Sequence, residues 1–251
     1  MFDVSLYEKH RGKKDGITVL DSVDSTNAYA VINSLPPFSC VAAETQTAGR
    51  GRSGRRWHSS KGDNLYFSIV LHGMDVPKLL PMNIFAGYIL ADTLSPYADV
   101  RVKWPNDLTV NGKKLAGILM ETTFSGGVLE KAVLGIGLNV NTTDFPDEIK
   151  DIATSLKIET GQTFSREEIL ASFMNNLESR YDDFLNGGVD IAKLWSFYSA
   201  FLDKKISIHK DGFKTVYTEK GIDSFGCLRA VNAEGRLETI VTGDIGYDIC
   251  R

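Results

Sequence analysis

The densest pattern in the chain is a basic, glycine-rich stretch, Gly49-Arg50-Gly51-Arg52-Ser53-Gly54-Arg55-Arg56-Trp57. No Asp or Glu occurs between Thr45 and Gly62, although this window carries four arginines and one lysine. Glycines let a ligand approach the backbone and its N–H groups, and arginine guanidinium groups pair with phosphate or carboxylate. Trp57 adds an aromatic face for stacking. The stretch, called the basic loop below, therefore predicts an anion-binding site rather than an ordinary solvated loop.

The basic loop stands out because the chain as a whole is acidic. Its 251 residues include 28 Lys+Arg and 32 Asp+Glu, a formal net charge of −4, and 43% of them are apolar. This composition is typical of a globular protein with a full core, and the acidity argues against generic nucleic-acid binding. No apolar run is long enough to span a membrane, and no secretion signal is present. Three widely spaced cysteines indicate neither disulfides nor a zinc site, which favours the cytoplasm.

The distribution of apolar residues predicts three segments. Residues 1–16 are polar and predict a disordered or extended segment. Residues 17–202 alternate strand-like runs with helical spacing and predict an α/β body. Residues 203–251 consist of short strand-like pieces separated by turns, which predicts a small β-barrel or sandwich. In the body we expect strands at Val41–Ala43, Leu65–Leu71, Val100–Val102, Gly117–Met120 and Val133–Leu138, and helices at Asn83–Leu94, after a capping box at Ser165–Glu168, and at Asp190–Leu202.

Four further segments place polar side chains or glycines beside the predicted strands. They are Asp24-Ser25-Thr26-Asn27, Lys103-Trp104-Pro105-Asn106-Asp107, Lys113-Lys114, and Gly135-Ile136-Gly137-Leu138-Asn139. Each has a purely structural interpretation, respectively a helix cap, an Asn-Asp turn, solvated lysines at a strand start, and close packing of two elements. Each is equally able to present hydroxyl, amide, charged or bare backbone groups to a ligand. Taken singly, these segments leave both interpretations open.

The basic loop also matches the spacing of the dinucleotide-binding fingerprint through Gly49, Gly51 and Gly54. That fingerprint requires an apolar helix directly afterwards and an acidic residue about 20 positions further on. Residues 55–62 are typical of a loop, and the next acidic residue, Asp63, comes too soon. The sequence therefore supports the dinucleotide interpretation only weakly.

Taken in order, these segments resemble the biotin protein ligase family. The matching pieces are Asp24–Asn27, Gln46–Trp57, Lys103–Asp107, the strand beginning at Lys114, and Gly135–Asn139. The resemblance implies an α/β (α+β) catalytic domain, similar to class II aminoacyl-tRNA synthetases, with a mixed sheet flanked by helices. It also implies a C-terminal SH3-like β-barrel at residues 203–251. The implied enzyme is an ATP-dependent ligase that converts biotin and Mg·ATP into biotinyl-5′-AMP and pyrophosphate. It then transfers biotin to a lysine of the biotin carboxyl carrier domain of a biotin-dependent carboxylase.

The resemblance also assigns roles to individual residues. It implies biotin binding by Ser25, Thr26, Asn27, Gln46, Arg50, Gly51, Arg52, Lys114, Gly117, Gly135 and Gly137. It implies nucleotide binding by Arg52, Arg55, Trp57, Asn106 and Asn139, and a Mg²⁺ ligand at Asp107. Lys114, Arg52 and Arg55 are the implied catalytic residues. Joining a carboxylate to a phosphate brings two anions together, so the site must supply fixed positive charge.

The sequence departs from the family pattern in three places. Ser53 stands where a basic residue is common, and residues Thr242–Tyr247 are an atypical version of the C-terminal segment. Only about 16 residues precede the expected catalytic domain, too few for the helices of a DNA-binding domain. We therefore expect neither DNA nor a membrane as a partner.

Two alternative functions remain. A lipoate–protein ligase would share the fold, although the arginine-rich loop favours biotin. A non-enzymatic module would use the basic loop and Trp57 to bind single-stranded nucleic acid. Dimerisation through a strand edge is left open.

Overall fold

The computed structural model describes residues 1–14, 16–210 and 212–246, with Lys210 described in its backbone only. The helices are α1 (Val4–Arg11), α2 (Thr26–Ile32), α3 (Leu79–Leu94), α4 (Leu156–Thr160), α5 (Arg166–Leu185) and α6 (Ile191–Tyr198). The first seven strands are β1 (Thr18–Leu20), β2 (Cys40–Ala43), β3 (Leu65–Leu71), β4 (Arg101–Lys103), β5 (Asp107–Val110), β6 (Lys113–Ser125) and β7 (Val128–Leu138). The last five are β8 (Lys205–Lys210), β9 (Phe213–Ile222), β10 (Leu228–Val231), β11 (Leu237–Ile240) and β12 (Asp244–Ile245).

The larger sheet is mixed and has the strand order β1-β2-β3-β7-β6-β5-β4. β1 pairs with β2 in parallel, and the other neighbours are antiparallel. β6 and β7 form a long hairpin whose register sets Gly117 opposite Gly137 and Leu119 opposite Gly135. The predicted glycines of two separate sequence segments therefore become direct neighbours in the sheet.

Helices cover both faces of this sheet. α2 packs on one face over Val41, Val70 and Val133. The main core lies on the other face, where α3 and α5 pack and the Phe85 and Phe184 rings stack with centroids 4.8 Å apart. Successive side chains of a strand point to opposite faces, so Gly135, two positions from Val133, lies on the α2 face. The candidate site therefore shares a face with α2.

The predicted helix after Ser165 is confirmed. The Ser165 hydroxyl accepts a hydrogen bond from the Glu168 N–H at 3.2 Å, which caps α5. Its apolar residues recur at helical spacing and are buried against the core. The helix predicted at Asp190–Leu202 is also present, but it ends at Tyr198. The predicted α/β body with a mixed, helix-flanked sheet is confirmed.

The N-terminal segment was predicted to be disordered or extended, and this is wrong for residues 4–11, which form α1. Asp3 caps the helix by accepting from the Ser5 and Leu6 N–H groups at 2.9 and 3.1 Å. Phe2 and Tyr7 are buried in the core, and α1 packs against α5. The mostly polar composition of this segment predicted no helix, because a helix of this length is unstable alone. Burial of Phe2 and Tyr7 in the core stabilises it.

The smaller sheet is antiparallel, with the order β11-β10-β9-β8-β12. It is consistent with the predicted small C-terminal β unit. Trp104, just after β4, joins the two sheets by donating from Nε1 to the Gly226 carbonyl at 3.0 Å. The domain boundaries at residues 17, 202 and 203 stay a prediction, and residues 247–251 lie outside the described part. No helix within the described ranges is long and apolar enough to cross a membrane.

A buried carboxyl links the second sheet to α6 and makes stability depend on pH. Glu219 is fully buried, and its Oε1 accepts from Trp195 Nε1 at 2.8 Å. Desolvation by burial raises the pKa of Glu219 above its ordinary value of 4.5. A raised folded-state pKa stabilises the fold below the ordinary pKa, and this contribution is lost as the pH rises through the folded-state pKa.

We expect the thermal stability of the protein to fall relative to Glu219→Gln as the pH rises from about 4 to about 8. Glutamine keeps the size and the acceptor of Glu219 but cannot ionise. Thermal unfolding across this pH range, with the exposed Glu234→Gln as control, measures the difference. Parallel pH curves for wild type and Glu219→Gln would contradict the expectation.

Candidate active site

A pocket of about 230 Å³ opens on the α2 face of the large sheet. It lies between the N-terminus of α2, the β6–β7 hairpin and the basic loop. All of the residues predicted for the site line it, namely Ser25, Thr26, Asn27, Gln46, Arg50, Gly51, Arg52, Arg55, Trp57, Asn106, Asp107, Lys114, Gly117, Gly135, Gly137 and Asn139. The structure thus brings together five segments that are up to 114 positions apart (139 − 25 = 114). Their individual roles stay predictions.

One end of the pocket, the polar end, is a hydrogen-bond network of Thr26, Asn27, Gln46 and Ser68. The Thr26 N–H donates to Gln46 Oε1 at 2.9 Å, and Asn27 Nδ2 donates to the Leu119 carbonyl at 3.2 Å. The Ser68 hydroxyl lies 2.6 Å from Asn27 Oδ1 and 2.8 Å from Thr26 Oγ1. Ser25 caps α2 by accepting from the Ala28 N–H at 3.4 Å. These contacts hold the amide and hydroxyl groups in fixed orientations.

The floor of the pocket is formed by glycines of β6 and β7. A Cβ on Gly135 would lie 2.1 Å from Asn27 Oδ1, and one on Gly137 would lie 2.4 Å from Trp57 Cε2. A Cβ on Gly117 would lie 2.9 Å from Trp57 Cζ3. Real Cβ atoms do not approach other atoms this closely, so any larger residue would displace Asn27 or Trp57. The two glycines in β7 predicted that some group approaches the backbone closely. In the structure these groups are the side chains of Asn27 and Trp57.

Trp57 forms the wall above this floor. Its backbone N–H donates to the Gly49 carbonyl at 2.9 Å, which closes the basic loop. Lys114 Nζ lies 5.3 Å from the centroid of the indole ring. The indole Nε1 is buried and has no hydrogen-bond partner within the described residues. A buried N–H costs free energy when it is unpaired, so it is a candidate donor to a ligand.

The opposite end, the basic end, collects Arg52, Arg55, Lys103 and Lys114 around two carboxylates. Lys114 Nζ lies 2.6 Å from Asp107 Oδ1, and Lys103 Nζ lies 3.5 Å from Asp107 Oδ2. Arg52 and Arg55 both contact Asp244, which approaches from β12. Burial lowers the pKa of Lys103, and the nearby Asp107 carboxylate opposes that shift. The pocket lining carries five basic residues, Arg50, Arg52, Arg55, Arg56 and Lys114, against the single acid Asp107, an excess of positive charge that suits a polyphosphate.

Asp107, the predicted Mg²⁺ ligand, is paired with two lysines in this arrangement. Both oxygens of its carboxylate face lysine ammonium groups rather than further oxygen ligands. The described residues contain no group of three His, Cys, Asp or Glu able to hold a metal ion. Mg²⁺ is usually bound through one or two protein carboxylates together with substrate phosphates and waters, so the role of Asp107 as a Mg²⁺ ligand stays a prediction.

Three predicted residues make contacts that restrict their roles. Arg50 Nη1 pairs with Glu121 Oε1 at 2.9 Å. Asn106 Nδ2 donates to the Ile118 carbonyl at 2.7 Å, and its Oδ1 lies 3.4 Å from Arg52 Nη1. Asn139 is buried, and its Nδ2 donates to the Thr154 carbonyl at 2.9 Å. Asn106 and Asn139 therefore use their amide donors to fix the walls of the pocket.

The sequence interpretation missed several residues of the site. An apolar rim follows β7 and consists of Phe145, Ile149, Ile152 and Ala153. It is tied to β6, because the Lys114 N–H donates to the Ile152 carbonyl at 2.7 Å. No periodic pattern marks this rim. Ser68 was also missed, and its signal was a polar residue inside an otherwise apolar strand.

Comparisons with known proteins agree with this geometry. Residues 19–139 match the Biotin/lipoate A/B protein ligase family. The bifunctional ligase/repressor BirA of Bacillus subtilis is 34% identical over 234 residues, covering 90% of this chain and 71% of the relative. The biotin–[acetyl-CoA-carboxylase] ligase of Paracoccus denitrificans is 31% identical, covering 87% and 95% respectively. The biotin protein ligase of Aquifex aeolicus, solved with biotin and ATP, superposes with a TM-score of 0.80 at 27% identity, covering 93% of this chain and 98% of that one.

The fold and the pocket place the protein in the class of biotin and lipoate protein ligases. Within this class, the Paracoccus denitrificans relative, which matches most of both chains, is named as a biotin ligase. The chain belongs to the biotin protein ligase family. The resemblance and the fold class expected from the sequence are thus confirmed.

Proposed function

We propose that this protein is an ATP-dependent biotin–protein ligase acting in two steps. It joins biotin to ATP to give biotinyl-5′-AMP and pyrophosphate, and then transfers the biotinyl group to a lysine of a biotin carboxyl carrier domain. One observation carries the proposal: a single pocket has a neutral, hydrogen-bonding end and a positively charged end, separated by a glycine floor. The Paracoccus denitrificans relative is a biotin ligase by name, and the Aquifex aeolicus protein was solved with biotin and ATP, which supports the same substrates.

The polar end suits the ureido ring of biotin. This ring has two N–H donors and one carbonyl acceptor, and Thr26, Asn27 and Gln46 offer hydroxyl and amide partners of both kinds. The network through Ser68 fixes their orientation before the ligand arrives. The apolar chain of biotin would then extend past Asn27 and the indole of Trp57, which cover the glycine floor, towards the basic end.

The basic end suits the adenylation step. The carboxylate of biotin attacks the α-phosphorus of ATP, a new O–P bond forms, and the bond to pyrophosphate breaks. Negative charge develops on the phosphoryl oxygens, where Lys114, Arg52 and Arg55 supply fixed positive charge. All three cations line the pocket, so each lies within it when the substrates bind.

The basic loop covers the pocket and suits protection of the intermediate. It forms a short hairpin. The backbones of Arg50 and Arg56 pair in an antiparallel β-bridge, and the Gly51 N–H donates to the Arg55 carbonyl at 2.7 Å. Biotinyl-5′-AMP is a mixed anhydride that water would hydrolyse, and a covering loop keeps water away from it. In the transfer step the amine of the carrier lysine attacks the acyl carbon, an amide forms and AMP leaves.

Lipoate is the alternative substrate, since the matched family includes lipoate ligases. The dithiolane ring of lipoate has neither N–H nor carbonyl groups. It would gain none of the hydrogen bonds that Thr26, Asn27 and Gln46 can offer to the ureido ring of biotin. The polar end therefore favours biotin.

A nucleic-acid-binding module fits the structure less well. Such a module needs a groove of available basic side chains that tracks the phosphate backbone. Here Arg50 pairs with Glu121 at 2.9 Å, and Lys61 pairs with Asp21 at 2.6 Å. The loop arginines line pockets that they share with the polar end and with β6, an arrangement that suits a bounded ligand.

Transfer to a carrier tests the proposed function. The purified chain is incubated with ATP, an unmodified biotin carboxyl carrier domain, and either biotin or lipoate, and the mass of the carrier is measured. We expect the biotinyl mass increase with biotin and none with lipoate. Lipoylation of the carrier, or no modification with either acid, would contradict the proposal.

A further inference from the structure

A carboxylate of the small sheet reaches into the basic end of the pocket. Asp244 Oδ1 lies 3.0 Å from Arg52 Nη1, and Asp244 Oδ2 lies 2.5 Å from Arg55 Nη2. Arg52 Nη1 also lies 3.4 Å from the Gly243 carbonyl oxygen. Each oxygen of one carboxylate thus contacts a different arginine, both from the basic loop.

This carboxylate stands where a phosphate group would be expected. Two arginines that share one anion, with Lys103 and Lys114 close by, would repel one another if the anion were absent. Carboxylate and phosphate oxygens accept the same charge-assisted hydrogen bonds from guanidinium groups. Asp244 therefore satisfies Arg52 and Arg55 in the way that a phosphate does.

The position of Asp244 allows it to move. It begins β12, a two-residue strand at the edge of the small sheet that pairs with β8. Its side chain is about 30% exposed, so the two ion pairs are in contact with solvent. Exposed ion pairs contribute little free energy each, and a short edge strand has few contacts to lose.

We propose that Asp244 occupies the phosphate subsite in the nucleotide-free protein and that ATP binds by displacing it from Arg52 and Arg55. This inference rests on the proposed function, which assigns these arginines to the nucleotide. Asp244 then sets the affinity for ATP, because part of the interaction energy with the phosphates is spent on breaking its ion pairs. It also holds the basic loop in its hairpin until the nucleotide takes its place.

The isosteric variant Asp244→Asn tests the proposal, with the whole chain titrated by ATP and by inorganic pyrophosphate in a calorimeter. We expect both to bind about three- to tenfold more tightly to Asp244→Asn than to wild type, since no carboxylate competes. The affinity for biotin changes less, because only its carboxylate reaches the basic end and the polar end does not contact Asp244. The Asp244→Glu variant, which keeps the charge, returns the affinities towards wild type.

The matched control is Asp203→Asn, which removes another carboxylate next to the small sheet, paired with Lys220 at 2.7 Å. It leaves all three affinities unchanged. Trypsin cleavage after Arg52 or Arg55 gives a second readout, and we expect faster cleavage in ligand-free Asp244→Asn than in wild type. If Asp244→Asn only damaged the fold, ATP and pyrophosphate would bind more weakly. Displacement of Asp244 by phosphate predicts that both bind more tightly.

Equal or weaker binding of ATP and pyrophosphate by Asp244→Asn would overturn the proposal. The outcome is independent of catalysis, because pyrophosphate binding is measured without turnover. A wild-type protein that binds pyrophosphate but does not biotinylate a carrier would defeat the proposed function and leave the competition by Asp244 testable by the same titration.

Discussion

Replacing Lys114 by alanine is expected to lower the rate of adenylation by about 10²- to 10³-fold, the usual cost of removing one preorganised charge from a reacting centre. Lys114 Nζ lies at the pocket wall, 5.3 Å from the Trp57 ring centroid and 2.6 Å from Asp107. It faces the floor, where a Cβ on Gly117 would lie 3.3 Å from it. The effect is measured as the initial rate of biotin-dependent exchange of labelled pyrophosphate into ATP.

Lys113 provides a matched control, because it is the preceding lysine of β6 and is exposed. Lys113→Ala is expected to keep the exchange rate within about twofold of wild type, as surface substitutions usually do. Thermal unfolding of both variants checks that each remains folded, since Asp107 keeps Lys103 as a neighbour in Lys114→Ala. Equal rates for the two alanine variants would remove Lys114 from the mechanism.

Replacing Gly135 by alanine is expected to weaken biotin binding by about 10²-fold, the scale of effect of a displacement of roughly 1 Å in a site. The new Cβ would lie 2.1 Å from Asn27 Oδ1. Asn27 is held by the Ser68 hydroxyl at 2.6 Å and by the Leu119 carbonyl at 3.2 Å, so it moves only by losing both contacts. Isothermal titration with biotin measures the loss.

Gly87→Ala is the control for this prediction. Gly87 lies in α3, and a Cβ there would lie 3.4 Å from Val102 Cγ1, an ordinary packing distance on the opposite face of the sheet. We expect its biotin affinity to match wild type. The double variant Gly135→Ala/Asn27→Ala relieves the collision, so it recovers thermal stability but not biotin affinity. Normal biotin binding by Gly135→Ala would contradict the geometry of the polar end.

Those parts of the fold that depend on local patterns were predicted from the sequence. The apolar spacing after Ser165 and the Ser165 cap predicted α5 close to its observed bounds. The residues predicted for the site also line one pocket. They could be recognised in the sequence because each segment has its own pattern of glycines, arginines or helix-capping residues. Such signals need no knowledge of distant contacts.

The remaining features depend on contacts between distant segments. α1 was missed because Phe2 and Tyr7 stabilise it only through their packing in the core, which no local pattern shows. The pairing of Asp107 with both Lys103 and Lys114 could not be predicted from the sequence, and its assignment to Mg²⁺ stays a prediction. That arrangement arises from the β4–β5–β6 register, in which Asp107 lies opposite Lys103 and Gly117.

The role of the C-terminal segment also depends on contacts with distant residues. Residues Thr242–Tyr247 were only recognised as an atypical version of the family pattern, and Tyr247 lies outside the described residues. Asp244 is 192 positions away from Arg52, so no local pattern relates the two. Only the packing of the small sheet against the catalytic body brings its carboxylate to the basic loop.

The central claim is that one pocket activates biotin with ATP, and the exchange of labelled pyrophosphate into ATP tests it most directly. The assay uses the whole chain alone, without a carrier, in the presence and absence of biotin, with lipoate in a third arm. We predict incorporation of label that requires biotin and is not supported by lipoate. An absence of exchange, or exchange that proceeds equally without biotin, would contradict the account.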